Sequence, residues 1–243
     1  MIFDYLNIAR KSMKKRRLRS FLTLVGIMIS IATIFVLISV SLGLSDAIQD
    51  QFIKLGGDKF FIQPRGQFGP PGTATAAILT LDDIETIKKV SGVKGVAGWT
   101  LSPAKLEFKE QIRFVHVISI EIEKQKLGFT GFELDEGRFF KDSDANKLIL
   151  GSQYKYNDYV GKQVKTGDTI LINDNEFQVV GILKTAGNPS DDRMVHIPEK
   201  KFREFFNIQE RVDFVIVQVS EENDINKIAN DVKRKLMNSR KVK

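Results

Sequence analysis

The stretch DSDAN at residues 142–146 has the composition of a calcium-binding loop, because it places oxygen donors at alternate positions. Such a loop needs glycine at its sixth position for a sharp turn, and glutamate at its twelfth to bind the ion with both oxygens. This sequence has Lys147 and Gln153 at those positions. We therefore predict a solvated polar turn here and no metal site.

The other residues with catalytic or ligand chemistry are isolated from one another. The two histidines, His116 and His196, lie in strand-like segments and outside any H-E-x-x-H pattern. The adjacent acids Asp82 and Asp83 begin a predicted helix, where they point in different directions and complement the helix dipole. The sequence has no cysteine, no P-loop and no G-x-G-x-x-G pattern. We expect no catalytic, cofactor or metal site and no enzyme activity, so any ATPase has to be a separate protein.

The positive charge of the chain is concentrated at its N-terminus. The formal net charge is +7, and the first nineteen residues contain seven lysines and arginines against the single acid Asp4. That arm supplies +6 and leaves +1 for all the residues after it. The basic character is therefore local, which weakens the interpretation of the folded domain as a nucleic-acid binder, and we expect no nucleic-acid partner.

Residues 20–44, SFLTLVGIMISIATIFVLISVSLGL, carry no charge, and about 20 apolar residues are enough for a helix to cross a membrane. A helix pairs its own backbone amides, and the serine and threonine hydroxyls can bond back to the same helix. Lysine and arginine are retained on the cytoplasmic side, and all seven basic residues of the arm precede this segment. We predict a cytoplasmic or interfacial arm at 1–19, a transmembrane helix at 20–44 and an extracytoplasmic domain at 45–243 in the cell membrane.

Two alternatives to an uncleaved anchor are a signal peptide and a buried core helix. A signal peptide has a short basic region, an apolar core of about 7–15 residues and a small-x-small cleavage site, and this segment is longer and lacks the site. A core helix of this length would normally contain a charge. The arm is either an interfacial helix that binds membrane lipid or only a topology signal; its apolar residues at helical spacing are Ile2, Phe3, Leu6, Ala9 and Met13.

The first part of the outer domain reads as strand, loop and helix. Residues 58–63 have the aromatic and β-branched content of a strand, and residues 66–77 have the glycine and proline content of a flexible, exposed loop. A helix begins at Thr80, whose hydroxyl can cap the amide near Asp83. Strand-like segments follow as far as residue 120.

Turn residues predict two hairpins and one further turn. We expect a hairpin around Lys109-Glu110 and another in which Asp174-Asn175 joins two apolar strands. A proline favours an additional turn at Ser102-Pro103.

The last part of the domain reads as helix, strand and helix. Pro198 opens a short helix, because its missing amide costs nothing in the first turn. Residues 211–219 form an apolar strand, and residues 221–237 form a helix with acids early and bases late. The predicted fold is α+β, with a porter-like α/β part at about 55–120 and 196–238 and a β-rich insert at about 121–195.

Several short motifs follow one another in order over nearly the whole chain. They are Asn7-Ile8-Ala9-Arg10, Leu18-Arg19-Ser20-Phe21-Leu22-Thr23-Leu24-Val25-Gly26-Ile27, Leu79-Thr80-Leu81-Asp82-Asp83, Ser91-Gly92-Val93, Glu136-Gly137-Arg138-Phe139-Phe140, Leu150-Gly151, Val160-Gly161-Lys162, Phe177-Gln178-Val179-Val180-Gly181-Ile182-Leu183 and His196-Ile197-Pro198. Each motif is short, but their order and spacing resemble the permease subunits of MacB- and FtsX-type ABC transporters, including the lipoprotein-releasing branch.

This resemblance implies a permease subunit, or its N-terminal portion, that couples ATP hydrolysis by a cytoplasmic ABC ATPase to movement of the extracytoplasmic domain. It implies a second permease subunit, identical or different, and three further membrane helices after the domain. No second apolar segment follows before Lys243. The chain is therefore expected to be either part of a longer permease or a stand-alone relative. Beside the ATPase and the second permease subunit, a partner on the extracytoplasmic side is left open.

Two other functions compete with the permease. A single-pass binding or scaffold protein would act without an ATPase. A tethered hydrolase is least favoured, because no nucleophile and base pair is visible. For the permease, the segments expected to matter are the basic arm, the membrane helix and the loop at 67–73.

Overall fold

The computed structural model describes residues 17–55, 57–64, 78–220 and 224–240. The chain divides into two compact units, Met1–Ile53 and Lys54–Lys243. Most of the predicted basic arm and the loop at 67–73 lie outside the described residues.

The first unit contains helix α1 (Arg17–Leu55). Its segment Phe21–Leu44 has a mean hydropathy of 2.7, and none of it is buried against the rest of the protein. At 1.5 Å per residue, 24 residues extend about 36 Å, which exceeds the roughly 30 Å of a bilayer's hydrocarbon core. The helix continues for eleven residues beyond the predicted span, so the chain does not turn at the predicted membrane boundary.

The second unit is built from short strands and five further helices in the described part of the chain. The elements in chain order are β1 (Lys59–Ile62), β2 (Leu79–Thr80), α2 (Leu81–Lys88), β3 (Val93–Trp99), β4 (Leu101–Phe108), β5 (Gln111–Ile120), α3 (Gln125–Gly128), β6 (Leu134–Gly137), β7 (Lys147–Leu150), α4 (Asn157–Val160), β8 (Thr169–Ile172), β9 (Asn175–Leu183), β10 (Val195–Pro198), α5 (Glu199–Phe206), β11 (Arg211–Val212), β12 (Phe214–Val219) and α6 (Ile225–Ser239).

A three-stranded antiparallel sheet, in the order β1-β12-β3, carries helices α2 and α6 on one face. Alternate strand residues and the apolar stripes of both helices form the core between them, as the period-2 and period-3.6 patterns require. The buried residues of this core include Ile84, Ile87, Val96, Val215, Val217, Ile228, Val232 and Leu236. This layer is the α/β part of the domain. The small sheet of β2 and β11 lies beside the start of α2.

The remaining strands form a closed barrel. Their order is β6-β9-β7-β10-β5-β4-β8, and β9 also pairs with β8, so the six strands from β9 to β8 form a ring. The interior is filled with apolar side chains, and helix α5 contributes Phe202 to it. Because β8 pairs with β9, the six-stranded sheet has no first or last strand among the described residues. The fold is therefore α+β, as predicted.

The barrel begins earlier and ends later than the sequence suggested. We assigned residues 105–120 and 196–206 to the α/β part, but β4, β5, β10 and α5 belong to the barrel. Among the described residues, the α/β part consists of residues 59–64, 78–99, 211–220 and 224–239. Strand patterning shows that a segment is half-buried but does not show which sheet it joins, because the pairing partner is distant in sequence.

The predicted turn at Ser102-Pro103 is wrong, because both residues lie inside β4. A two-residue turn joins β4 to β5, so every second residue of β4 points its backbone amide and carbonyl away from β5. Along that edge Pro103 has no amide to satisfy, and the Lys105 amide donates to Asn173 Oδ1 at 2.8 Å. Proline is tolerated in a strand at such an edge.

The two hairpin turns are present. Lys109 and Glu110 both have positive φ, as a type I′ turn requires. The second turn is at Asn173 and Asp174 rather than one residue later. The last helix begins at Ile225, after an Asp224 cap whose side chain accepts from the Asn226 amide at 2.8 Å.

His196 is a core residue. It is 2% exposed, its ring lies 5.1 Å from the ring of Phe129 and 6.1 Å from that of Phe132, and its Nδ1 is 3.3 Å from the Ile149 carbonyl oxygen. Burial lowers the pKa of His196 from 6.5 to about 4, so the ring is neutral at pH 7.

We predict that His196 makes the domain less stable in mild acid. Between pH 6.5 and pH 4 the unfolded state binds a proton that the folded state excludes, so stability falls as the pH falls. From pH 7 to pH 5 this amounts to about 2 kcal/mol. Urea unfolding of residues 54–243 should show that loss, and His196→Phe should lose about 2 kcal/mol less over the same range. Equal slopes for the two proteins would contradict the assignment.

Candidate functional site

The sequence-predicted polar turn at 142–146 is held by an arginine. Arg138 donates to both carboxylate oxygens of Asp144, at 2.6 and 3.0 Å, and the Lys141 amide donates to the same group at 2.8 Å. Hydrogen bonding from Arg138 lowers the pKa of Asp144. The carboxylate is therefore occupied by the protein itself. In the described part of the chain, no three metal-binding side chains come together.

Asp83 has the capping role that the sequence suggested and a second role that it did not. Its carboxylate accepts from the Thr80 amide at 2.7 Å and the Thr80 hydroxyl at 3.1 Å, at the start of α2. It also accepts from Arg240 Nε at 2.8 Å, and the same guanidinium reaches the Ile78 carbonyl at 2.6 Å. Burial alone would raise the pKa of Asp83, but the bonds from Arg240 and Thr80 lower it. The end of α6 is thereby fixed to the start of α2.

The chain crosses between the α/β layer and the barrel twice, and the two crossings meet in a buried polar joint. We use the word joint for residues 99–101, Ser119 and 211–213. The Thr100 amide donates to Ser119 Oγ at 2.9 Å, and the Ser119 amide donates to the Thr100 carbonyl at 2.9 Å. The Thr100 hydroxyl donates to the Arg211 carbonyl at 2.9 Å. Each of these groups therefore has a partner away from water.

Arg211 and Asp213 complete the joint with their side chains. The Leu101 amide donates to Asp213 Oδ2 at 2.8 Å, and the Arg211 guanidinium donates to the Leu101 carbonyl. The two side chains also form an ion pair at 3.3 Å. Both backbone groups of Leu101 point away from β5, so this pair of side chains takes the place of a neighbouring strand.

We predict that Asp213→Ala destabilises the domain by about 3 kcal/mol, because it leaves the Leu101 amide and the Arg211 charge without their acceptor. Asp213→Asn keeps an acceptor oxygen and removes the charge, so its cost should be about 1 kcal/mol. Urea unfolding of both variants measures the difference. An Asp213→Ala domain as stable as the parent would show that the joint contributes nothing.

The motif Glu136-Gly137-Arg138-Phe139-Phe140 has a structural role. Gly137 has a φ of +78°, and a Cβ placed on it would lie 2.1 Å from the Val180 carbonyl oxygen. The strand β6 can therefore approach β9 only if residue 137 is glycine. Arg138 then holds Asp144, and Phe140 is buried in the cluster between the barrel and the α/β layer.

We predict that Gly137→Ala destabilises the domain by more than about 3 kcal/mol, since it combines a strained φ with a clash against backbone. Gly167 is a matched control: its φ is +96°, but a Cβ there would meet no atom within 4 Å. Gly167→Ala should cost only about 1–2 kcal/mol, because the left-handed backbone conformation is its only source of strain. Equal losses in thermal or urea unfolding would show that the close approach of β6 to β9 is unimportant.

The membrane helix presents apolar side chains in every direction. Three of its hydroxyl groups bond back to the helix: Thr23 Oγ1, Ser30 Oγ and Thr33 Oγ1 donate to the backbone carbonyls four residues earlier, at 2.8–2.9 Å. The predicted return of hydroxyl groups to their own helix is confirmed at these three positions. Transfer of this helix from water to lipid removes apolar area from water and leaves these three hydroxyl groups paired.

Together these features define a membrane-anchored protein with one N-terminal apolar helix and a mixed α/β domain. The family model described as MacB-like periplasmic core domain matches residues 20–235. The chain belongs to this family.

Two relatives and one solved structure illustrate the similarity. An uncharacterized ABC transporter permease of Methanocaldococcus jannaschii is 31% identical in an alignment of 239 positions that covers 97% of this chain and 59% of that protein. A macrolide export ATP-binding/permease protein MacB of Campylobacter jejuni is 26% identical over 80% of this chain and 31% of its own length. The periplasmic region of MacB from Actinobacillus actinomycetemcomitans superposes with a TM-score of 0.62 at 17% identity, over 79% of this chain and 88% of that one.

The coverage of the relatives is unequal. This chain spans 59% and 31% of the lengths of these two relatives. At 17% identity, the similarity to the solved MacB region is evidence for the fold only. The resemblance to MacB-type permeases that we inferred from short motifs is confirmed.

The sequence analysis missed two polar elements of the folded domain, the joint and the Asp83–Arg240 pair. Asp213 interrupts an otherwise apolar run, RVDFVIVQV, and a carboxylate in such a strand needs a partner. That signal was available, but it does not reveal that the partner is the Leu101 amide. Arg240 gave no comparable signal, because it lies in a basic tail.

Proposed function

We propose that this chain is a permease subunit of a MacB- and FtsX-type ABC transporter, or the N-terminal portion of one. A separate cytoplasmic ATPase would supply the energy, and the extracytoplasmic domain would move with the membrane helices to export or extract a substrate. The observation that carries this proposal is the combination, in one chain, of an apolar helix and the MacB-like core domain. The same combination aligns with a named ABC transporter permease over 97% of the chain.

The orientation follows from charge. Seven basic side chains precede the apolar helix within the first nineteen residues, and such residues stay in the cytoplasm. The arm is then cytoplasmic and the domain extracytoplasmic. The description of the family as periplasmic supports this orientation.

The polar contacts between segments of the domain support a mechanical role. Several of its polar side chains are used in the joint, the Asp83–Arg240 pair and the Arg138–Asp144 pair, each of which fixes one segment to another. A domain that transmits movement needs such fixed connections, whereas a hydrolase needs polar groups free to meet a substrate. A second permease subunit, identical or different, would complete the membrane part.

The test is co-purification from native membranes. The intact gene product, tagged at its C-terminus, is extracted in mild detergent with or without ATP and vanadate, and its partners are identified by mass spectrometry. We expect an ABC ATPase to be retained, with more retained in ATP and vanadate than without nucleotide. The domain 54–243 alone, which lacks the span, is the control and should retain none.

An intact protein that retains no ATPase in either condition would overturn the proposal. A single-pass binding or scaffold protein would then be favoured, and an intact mass near 27.5 kDa would agree with it. A larger intact mass together with the ATPase would identify the chain as the front part of a permease.

A further inference from the structure

The positive charge of the outer domain is concentrated in its C-terminal helix and the residues after it. Residues 224–243 contain seven lysines and arginines and two aspartates, a net charge of +5. The whole chain carries +7 and the N-terminal arm contributes +6, so residues 20–223 carry a net charge of −4. The fields of these two regions have opposite sign, and the positive one belongs to a single helix and the residues that follow it.

Helix α6 separates its charges from its core face. Ile228, Val232 and Leu236 are buried against the three-stranded sheet. The opposite side of the helix is exposed and carries Lys227, Asn230, Lys233, Arg234 and Met237. We call these five residues the cationic face. Met237 is 41% exposed, which places an apolar side chain among three cations.

The cationic face is held in a fixed direction. Arg240 is bonded to Asp83 and to the Ile78 carbonyl, and Lys235 Nζ donates to the Lys89 carbonyl at 3.0 Å. These bonds tie the last turns of α6 to both ends of α2. The only acid near the cationic face on this helix, Asp231, is paired with Arg234 at 2.8 Å. The face therefore points away from the domain.

We propose that the cationic face binds the anionic headgroups of the membrane in which the protein is anchored. Lysine and arginine near an anionic membrane surface each contribute about 1 kcal/mol, equivalent to roughly fivefold in binding. An exposed methionine among the cations suits the boundary between headgroups and acyl chains.

A lipid surface fits this face better than a soluble polyanion does. The apolar helix at Phe21–Leu44 holds the same chain on a membrane, so the local concentration of headgroups around the domain is high. A face with only three cations is too weak for a dilute partner but sufficient for a surface already close by. The proposal needs the membrane anchor but does not need the ATPase, so the two proposals can fail separately.

The sequence has no cysteine, so a single labelling site can be introduced cleanly. Asn230→Cys lies in the middle of the cationic face, and Thr169→Cys lies on an exposed position of the barrel strand β8. Each full chain is labelled with an environment-sensitive fluorophore. It is then reconstituted into vesicles of phosphatidylcholine, with or without phosphatidylglycerol, that also contain a lipid quencher at headgroup depth.

We expect quenching of the Asn230 label in vesicles with phosphatidylglycerol and little in phosphatidylcholine alone. The Thr169 label should be unaffected by lipid charge. Combining Lys227→Gln, Lys233→Gln and Arg234→Gln should lower the ratio of bound to free domain on the order of 100-fold. Salt of about 0.5 M should act in the same direction, because the Debye length falls to about 4 Å. The three exposed substitutions should leave the unfolding midpoint of the domain nearly unchanged, which separates loss of binding from loss of fold.

Three results would overturn the proposal. Equal quenching in neutral and anionic vesicles would show that charge is irrelevant, and equal quenching of the triple variant would show that other residues are responsible. A label that responds to added heparin or DNA and not to anionic vesicles would identify the face as a site for a soluble polyanion.

Discussion

The folded domain depends on hydrogen bonds to its backbone where the chain passes between two sheets. Each passage carries amide and carbonyl groups into surroundings dominated by apolar side chains, where an unpaired group costs about 1–3 kcal/mol. The protein meets this cost by bringing both passages to one place. There the backbone of one strand end is bonded by the side chains of Arg211 and Asp213, and Thr100 and Ser119 bond each other. The barrel and the α/β layer share the apolar cluster between them beside this joint, in which the backbone groups of Thr100, Leu101 and Ser119 have partners while Trp99 Nε1 and Arg211 Nε have none among the described residues.

The polar side chains of the family motifs serve the backbone in the same way. Gly137 makes a turn possible, and Arg138 holds that turn through Asp144. Asp83 caps the start of α2 and binds Arg240 at the end of α6. None of these groups is directed at an open site. The charged residues of these motifs hold segments of the domain together, and none of them is a catalytic group in the described part of the chain.

Local sequence patterns predicted the parts of this protein that are decided locally. The absence of charge from residues 20–44, the cap formed by Thr80 and Asp83, and the turn at Lys109 and Glu110 each depend on neighbours within a few positions. Barrel closure combines the local β8–β9 hairpin, which its turn residues predict, with the pairing of β9 with β7 and of β8 with β4, over separations that no local pattern encodes. For the same reason the domain boundaries were misplaced, and the proline of β4 was taken for a turn. Asp213 was visible as an oddity, but its partner lies 112 positions away.

The joint also places the entry and exit of the barrel side by side. Trp99 is paired with Phe214 across β3 and β12, and the Asp213 amide donates to the Trp99 carbonyl at 2.8 Å. These two strands are therefore a β-hairpin whose connecting loop has been replaced by a complete barrel. An insertion at this point does not change the pairing register of β3 and β12, because the inserted segment begins and ends at two residues joined by a hydrogen bond. The barrel can thus be enlarged, exchanged or reduced to a short turn by recombination while the helices and strands around it keep their positions, which makes this hairpin the natural site for outer domains of this type to diverge.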